Sequence, residues 1–286
     1  MKLRELLSRT SLKATGRKIG LDVQIVDGHL QCTPIAPDGP CYSMDFVLPS
    51  MKMVEACRAD DFDFFQPFID AGKLTVEQMH RAAQRYYLGK TRSGRPIFWM
   101  IDDMLDPLDA HITPDSWIST LLKAREPFLQ YWRVRHCLFG LHLLMSDVEC
   151  RVNPQVPIAI VESERSAVLL SELFPENLWL AYVSIPHLDI DLFAPLQGRN
   201  VTIYPRTDPS FSTYLFFDDL AASIRKHYDI HTTVSSILED NATDAQKERC
   251  IDLIDFILED QSHTDNTYNS WSYICLDGKD LCEHST

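Results

Sequence analysis

The stretch "IAIVESERSAVLL", residues 158–170, changes character at its centre. Four apolar residues, 158–161, predict a buried strand, and the apolar spacing that follows predicts a helix. Ser163 as N-cap and Glu164 in the first helical turn account for an ordinary junction between the two. Glu162 is not explained in this way. A carboxylate at the carboxyl end of a parallel strand lies where open α/β sheets bind ligands, so Glu162 is a candidate site residue.

The alternation of strand and helix continues to about residue 259. Strands are predicted over 157–161, over 178–183, up to Pro205 and over 230–236, and helices over 163–173, 189–196, 211–228 and 244–259. Thr243 and Gln246 form a capping box for the last helix. This order predicts an α/β fold with a four-stranded, mainly parallel sheet flanked by helices.

The region before this sheet has a mixed α+β pattern. Alternating runs around Asp27-Gly28 predict a hairpin, and an apolar run over 95–101 predicts a strand. The stretch 102–115 contains five Asp and no Lys or Arg, which predicts a surface loop. Helices are predicted over 60–88, with a second helix opening at Thr75, over 115–124 and over 136–147.

These patterns divide the chain into four predicted regions. They are a basic N-terminal arm with a hairpin and linker (1–50), a helical and mixed α+β region (51–150), an α/β domain (151–260) and a polar C-terminal tail (261–286).

Charge and composition limit the classes of function. The chain of 286 residues has a net charge of −14 (27 − 41), although residues 1–20 carry +5 (6 − 1). An acidic body disfavours sequence-independent binding to nucleic acid. The basic arm could contact nucleic acid or an acidic partner, and the alternative is a solvated helix face. No apolar run reaches the roughly 20 residues that span a bilayer, and no secretory signal is present, so we expect a cytoplasmic protein without membrane contact.

Several motifs that could carry chemistry are rejected. The "GKT" at 89–91 lacks the glycine of a P-loop, since Gln84 stands at that position. His136 and His142 are six residues apart, which is not the spacing of a helical ligand pair, so core histidines are expected. The eight cysteines form no C-x-x-C pair, so free thiols are expected rather than a zinc site.

A second polar cluster follows the predicted strand of "NVTIYPRTD", residues 200–208. It consists of Arg206, Thr207 and Asp208. In a parallel sheet this cluster and Glu162 can meet at one edge. A glutamate beside aspartates at such an edge would hold Mg²⁺ through oxygen ligands and serve phosphoryl chemistry.

A strand followed by glutamate, and a later strand ending in D-x-D, is the signature of Toprim domains. The chain resembles a poorly characterised family of Toprim-like, primase-related proteins carried by bacterial mobile elements. The resemblance covers about residues 50–260 and rests on these stretches in order: "YYLGKTRSGRPIFWMID" (86–102), "WISTLLK" (117–123), "CLFGLHLL" (137–144), "PIAIVESERSAVLL" (157–170), "WLAYVS" (179–184), "LQGRNVTIYPRTD" (196–208) and "ATDAQKERCIDLIDFIL" (242–258).

The resemblance implies a Toprim-like sheet and roles for three residues. Glu162 matches the general acid/base of nucleotidyl transfer, and Asp208 matches a metal ligand. Arg206 stands where the first aspartate of D-x-D is expected. An arginine there repels Mg²⁺ and could instead pair with a carboxylate or bind a phosphate. We therefore expect Mg²⁺ to be absent, in a degenerate site.

Three functions remain open at this stage. The first is a Toprim-like protein of mobile-element DNA replication or mobilisation, with weak or lost catalysis, that binds nucleic acid or partner proteins. The second is an active Mg²⁺-dependent nucleotidyltransferase, primase or nuclease that uses Glu162, Asp208 and Asp218 or Asp219. The alternative for this last pair, which the pattern favours, is a solvated helix face. The third is an acidic protein-interaction factor that uses the fold as a scaffold. Fold alone does not separate them.

Overall fold

The structure is a computed structural model, and it describes residues 21–26, 29–34, 49–114, 116–125, 134, 136–183, 185 and 188–259. The chain forms two compact units. The first comprises residues up to 60 together with 83–142, and the second comprises 61–82 together with the chain from 143 onward. The predicted basic arm (1–20) and polar tail (261–286) lie outside the described residues.

Ten strands are described, and they form three sheets. They are β1 (Leu21–Val26), β2 (His29–Pro34), β3 (Gly89–Lys90), β4 (Pro96–Ile101), β5 (Pro107–Ile112), β6 (Ser116–Trp117), β7 (Ile158–Val161), β8 (Leu178–Ala181), β9 (Asn200–Ile203) and β10 (His231–Val234). The first sheet is the antiparallel pair β1–β2, which confirms the predicted hairpin. The second has the order β3-β4-β5-β6 and the third the order β10-β9-β7-β8.

The helices of the described chain are mostly short. They are α1 (Met51–Ala56), α2 (Gln66–Asp70), α3 (Val76–Arg85), α4 (Ile118–Arg125), α5 (Leu143–Ser146), α6 (Val148–Val152), α7 (Glu164–Leu173), α8 (Ser212–His227), α9 (Ile237–Asn241), α10 (Asp244–Glu248) and α11 (Leu253–Glu259). Two 3₁₀ helices cover Asp63–Phe65 and Ile190–Leu196. None of the described helices is long and apolar enough to cross a membrane.

The sheet of the second unit is parallel throughout. β7 lies at its centre and pairs with β8 on one side and β9 on the other. All four residues of β7 are buried, as expected for a strand whose two faces are both covered by helices. The predicted α/β fold with a four-stranded parallel sheet is therefore found. β7 ends at the predicted residue, and β8, β9 and β10 each end two residues earlier than the patterns suggested.

Local capping explains where two of the helices begin. The Ser163 hydroxyl accepts a hydrogen bond from the backbone N–H of Ser166 at 3.1 Å, which places Ser163 at the N-cap of α7 as predicted. The predicted capping box of Thr243 and Gln246 is also present, at the start of α10.

The predicted continuous helix over 244–259 is wrong, because the chain breaks between α10 and α11. Cys250 in this break adopts a left-handed conformation with φ of 52°. The backbone N–H of Thr207 donates to the carbonyl of Ile251 at 3.1 Å, so the break is held by a hydrogen bond from a distant loop. Periodicity within the segment carries no information about such a bond.

The predicted helix over 136–147 is also wrong in its first half. Residues 136–142 form an irregular segment and the helix begins only at Leu143. Gly140 has a φ of 82°, a left-handed conformation that ends any α-helix and that glycine adopts without strain.

The predicted surface loop over 102–115 is wrong as well, because β5 lies within it. Asp109 is completely buried in this strand. Its carboxylate accepts hydrogen bonds from the backbone N–H and the hydroxyl of Ser119, at 2.9 and 2.5 Å, in the first turn of α4. The aspartate therefore serves as a helix cap supplied by a neighbouring strand, and charge count alone misassigned it.

We predict that Asp109→Ala lowers the free energy of unfolding by about 2–3 kcal/mol, since two donors at the start of α4 lose their buried acceptor. Urea unfolding followed by circular dichroism measures this. Asp60→Ala, at an exposed position of the same unit, should stay within about 0.5 kcal/mol of the wild type. Equal effects of the two substitutions would contradict the capping role.

Candidate functional site

Three strand ends meet at the carboxyl edge of the parallel sheet. The strand that follows β7 in the chain, β8, lies on one side of β7, and the next strand, β9, lies on the other side. The strand order therefore reverses between β7 and β9. Open α/β sheets bind ligands in the crevice at such a reversal. Glu162 directly follows β7, Tyr182 directly follows β8, and Arg206 lies three residues beyond the end of β9.

Backbone hydrogen bonds continue the sheet beyond the assigned strands and fix this edge. The N–H of Tyr204 donates to the carbonyl of Ile160 at 2.8 Å, and the N–H of Val183 donates to that of Glu162 at 2.9 Å. Side chains that follow the strands are therefore attached to a backbone with little freedom.

Glu162 and Arg206, two of the residues singled out from the sequence, are in contact. The Arg206 Nε lies 3.4 Å from the Glu162 Oε2, and the side chains are 42% and 23% exposed, respectively. The Nε–H is not aimed well enough to form a hydrogen bond with any described residue. The contact is therefore an ion pair between a half-buried carboxylate and a guanidinium that still reaches solvent.

The surroundings of Glu162 act on its pKa in opposite directions. Burial, the largest effect, raises the pKa of this carboxyl, and the negative charge of Asp252 raises it further. The positive charge of Arg206 lowers it, and the net pKa lies above the ordinary value of 4.5. Arg206 thus compensates only part of the cost of holding the carboxylate at this edge.

Tyr182 brings a buried hydroxyl to the same place. The residue is 5% exposed, and its hydroxyl makes no well-formed hydrogen bond with a described residue. Burial first, and then the charge of Glu162, raise the pKa of Tyr182 well above 10. The phenol therefore stays protonated, and its O–H can donate a hydrogen bond to Glu162 or to a bound group.

Asp208 is buried and is engaged within its own loop. One carboxylate oxygen accepts from the N–H of Ser210 at 2.8 Å and from that of Ser212 at 3.2 Å, and the other accepts from the N–H of Thr213 at 2.7 Å. The Ser210 hydroxyl also donates to it. These donors lie at the beginning of α8, so Asp208 caps this helix.

Asp252 also belongs to the cluster, and the sequence analysis missed it. Its Oδ2 accepts from the Ser166 hydroxyl at 2.5 Å, and its Oδ1 accepts from the N–H of Asp255 at 3.0 Å in the first turn of α11. Its charge reaches both Glu162 and Tyr182. The signal that could have found it is the N-cap position, which was hidden by the wrongly predicted helix.

These donors do not fit a magnesium site. Glu162 faces a guanidinium, and both oxygens of Asp208 already accept hydrogen bonds. In the part of the chain that the structure describes, no three His, Cys, Asp or Glu side chains are arranged to hold a metal ion. Mg²⁺ needs carboxylate oxygens that are free to coordinate, and the strand ends do not supply them.

The other residues considered from the sequence have surroundings of their own. Asp218 and Asp219 are exposed on α8. His142 is completely buried in the first unit, with its Nε2 3.1 Å from the carbonyl oxygen of Arg85. Gly89 and Lys90 of the rejected P-loop form the short strand β3.

Comparisons with known proteins give limited matches. A family model described as "Domain of unknown function (DUF6371)" matches residues 108–207, a segment that includes Glu162 and Arg206. No curated protein sequence matches the chain.

Solved structures that are similar to the chain include two primase structures. The primase fragment of the bacteriophage T7 primase-helicase protein has 10% sequence identity and a TM-score of 0.33, with 79% of this chain and 91% of that chain covered. The DnaG primase catalytic domain bound to ssDNA has 12% identity and a TM-score of 0.32, with 89% and 86% covered.

We predict that the stabilisation of the fold by Asp208 is lost at acid pH. Although burial alone would raise the pKa of this carboxyl, the hydrogen bonds from Ser210 and Thr213 outweigh it and hold the pKa well below the ordinary 3.8. The stabilisation is therefore complete above the unfolded pKa and is lost as the pH falls below about 4.

Asp208→Asn should accordingly cost about 2 kcal/mol at pH 7, and the difference from the wild type should shrink between pH 4 and pH 2. Urea unfolding at a series of pH values measures both quantities, with Asp218→Asn on the exposed face of α8 as the control. A difference that stays constant across this pH range would contradict the capping role of Asp208.

Proposed function

We propose that this chain is a Toprim-like, primase-related protein of mobile-element DNA metabolism that has weak or no metal-dependent catalysis and acts by binding. One observation carries the proposal. At the reversal of strand order, where the Toprim pattern would gather carboxylates around a metal ion, Arg206 lies against Glu162. A guanidinium occupies the neighbourhood in which a divalent cation would have to be held.

The charge at the strand ends supports this view. Glu162, Asp208 and Arg206 together carry about −1, whereas the Toprim pattern supplies three carboxylates and about −3. At about 4 Å and an effective dielectric near 20, each unit charge contributes up to ~4 kcal/mol to a contact with another unit charge. Replacing an attracting aspartate by a repelling arginine therefore removes most of the attraction for Mg²⁺.

The exposed part of Arg206 supports a binding role. Its guanidinium is partly open to solvent, and its planar array of donors suits a phosphate or carboxylate of a partner. The net charge of −14 opposes sequence-independent attachment to DNA through the body of the chain. The partners that fit are a nucleic acid held at a defined point, or a replication or mobilisation protein that presents an anionic group.

We predict that calorimetric titration of the wild-type chain with Mg²⁺ gives no saturable binding below about 1 mM, a range in which even weak protein sites for divalent cations bind. Arg206→Asp should gain a site, because it restores a carboxylate beside Glu162 and removes the competing cation. Adding Glu162→Gln to Arg206→Asp should abolish the gain.

The matched control is Arg92→Asp, which changes the net charge equally at an exposed turn of the first unit. It should leave Mg²⁺ binding as weak as in the wild type. The proposal fails if the wild type binds Mg²⁺ in the micromolar range and Glu162→Gln abolishes a metal-dependent reaction. In that case the chain is an active nucleotidyltransferase or nuclease.

A further inference from the structure

A second group of polar side chains is gathered in the first unit, around His142. Arg58 lies over the ring of Tyr87, with its guanidinium carbon 4.6 Å from the ring centroid. The Tyr87 ring lies 5.3 Å from the imidazole of His142, edge to face. The carbonyl of Arg85 meets the His142 Nε2 at 3.1 Å. Arg58, Tyr87 and His142 are therefore in contact one after another, and the charge of Arg85 also acts on His142.

His142 is neutral in this environment and adds no positive charge. Burial is the largest effect and lowers its pKa, the hydrogen bond to the Arg85 carbonyl raises it, and the charges of Arg85 and Arg58 lower it further, to about 4. Because a carbonyl oxygen can only accept, the Nε2 that faces Arg85 carries the ring proton. The Nδ1 is then an acceptor. It is buried, and no described residue donates to it.

Arg58 has a donor without an acceptor, whereas His142 has an acceptor without a donor, among the described residues. The Arg58 Nη2 donates to the carbonyl of Gln84 at 3.2 Å, whereas its Nη1 is buried and has no hydrogen-bond partner among the described residues. The carboxylate of Glu55 lies 4.0 Å from the Arg58 Nε, on a side chain that is 59% exposed. An arginine whose side chain is 27% exposed is thus left with a donor unused and little compensation of its charge.

The backbone beside this group is strained. Tyr87 has a φ of 55°, a left-handed conformation that is uncommon and unfavourable for a bulky residue. Gly89, two residues later, allows the strand to approach, since a Cβ there would lie 2.8 Å from the backbone oxygen of Cys57. Strain of this kind persists where the surrounding structure holds it, and it is concentrated at binding sites.

The charge of the segment is unlike that of the chain as a whole. Residues 83–95 contain four basic residues and no acidic residue, in a chain whose net charge is −14. Arg95 uses its guanidinium on the carbonyls of Thr113 and Ile112. Arg92 is exposed. An anion that approaches Arg58 and Arg85 therefore meets a local excess of positive charge.

We propose that Arg58, Arg85 and His142 form a binding site for a terminal phosphate group. A phosphate oxygen accepts from the unused Arg58 Nη1, and the monoanionic form of a phosphate monoester, whose second pKa is near 6, donates its remaining proton to the His142 Nδ1. A phosphodiester has no such proton and satisfies only Arg58. The chemistry selects a monoester, whether on a free nucleotide or on the 5′ end of a nucleic acid strand. The site shares no residue with the strand-end cluster and does not depend on the function proposed for it.

The test uses the full-length chain and three fluorescent probes. They are labelled AMP, an octathymidylate with a 5′ phosphate and a 3′ label, and the same octathymidylate without the phosphate. We expect the phosphorylated oligonucleotide to bind at least about tenfold more tightly than the unphosphorylated one, since charge-assisted hydrogen bonds are lost without the phosphate. Equal binding of the two oligonucleotides, or binding of no probe, would overturn the proposal. Binding of AMP alone supports it and identifies a free nucleotide as the source.

Variants locate the site. Arg58→Gln and Arg85→Gln should each weaken binding of the phosphorylated probe at least about tenfold. Arg92→Gln makes the same charge change in the same basic segment and should alter binding less than about twofold, because screening weakens exposed charges that make no contact. Equal losses in all three would show attraction by the basic segment as a whole and would overturn the assignment.

Arg58→Lys separates a loss of binding from a loss of folding. It keeps the positive charge near Tyr87 and lacks the planar pair of donors, so it should fold and still bind several-fold more weakly than the wild type. Thermal melting gives an independent reading, since millimolar AMP should raise the Tm of the wild type and not that of Arg58→Lys. An equal rise in both proteins would contradict a role for the Arg58 guanidinium.

Discussion

The order of strands in the parallel sheet determines which side chains of the second unit can meet. Because β7 lies between β8 and β9, the segments that follow β7 and β9 leave the sheet side by side at its carboxyl edge, where open α/β sheets bind ligands. Glu162 and Arg206 belong to these two neighbouring segments. Their ion pair at 3.4 Å is a direct consequence of that order.

The remaining contacts of this edge support the ion pair. Asp208 anchors the loop after Arg206 to the start of α8, and the hydrogen bond from Thr207 to Ile251 ties the same loop to the break before α11. Asp252, at that break, adds a negative charge beside Glu162 and opposes the effect of Arg206 on it. A carboxylate in this setting needs a cation close by, and here the chain itself supplies a guanidinium.

Sequence reasoning reached the parts of this arrangement that depend on local pattern. Apolar runs followed by polar residues located the ends of β7 and β9, and with them Glu162 and Arg206, while their chemical roles stay predictions. It did not reach Tyr182, because an aromatic residue after an apolar strand is typical of a core. Asp252 was missed and Asp109 misassigned, since hydrogen bonds between distant segments decide their positions.

Asp208 is a residue that the sequence did select, but whose contacts the sequence could not predict. Its place after a strand and next to Arg206 suggested a metal ligand, and the structure shows its oxygens turned to the N–H groups of Ser210, Ser212 and Thr213. A carboxylate two to five residues before such donors is a common helix cap. The spacing alone does not distinguish a cap from a ligand, because both require an aspartate at the end of a strand.

The central claim is that Arg206 supplies the positive charge that holds the Glu162 carboxylate at the strand ends. Its most direct test is an NMR titration of the Glu162 side-chain carboxyl in the wild type and in Arg206→Gln. The account predicts a pKa above 4.5 in the wild type, because burial outweighs the attraction of Arg206, and a clearly higher pKa in the variant. A pKa that is the same in both proteins would contradict it.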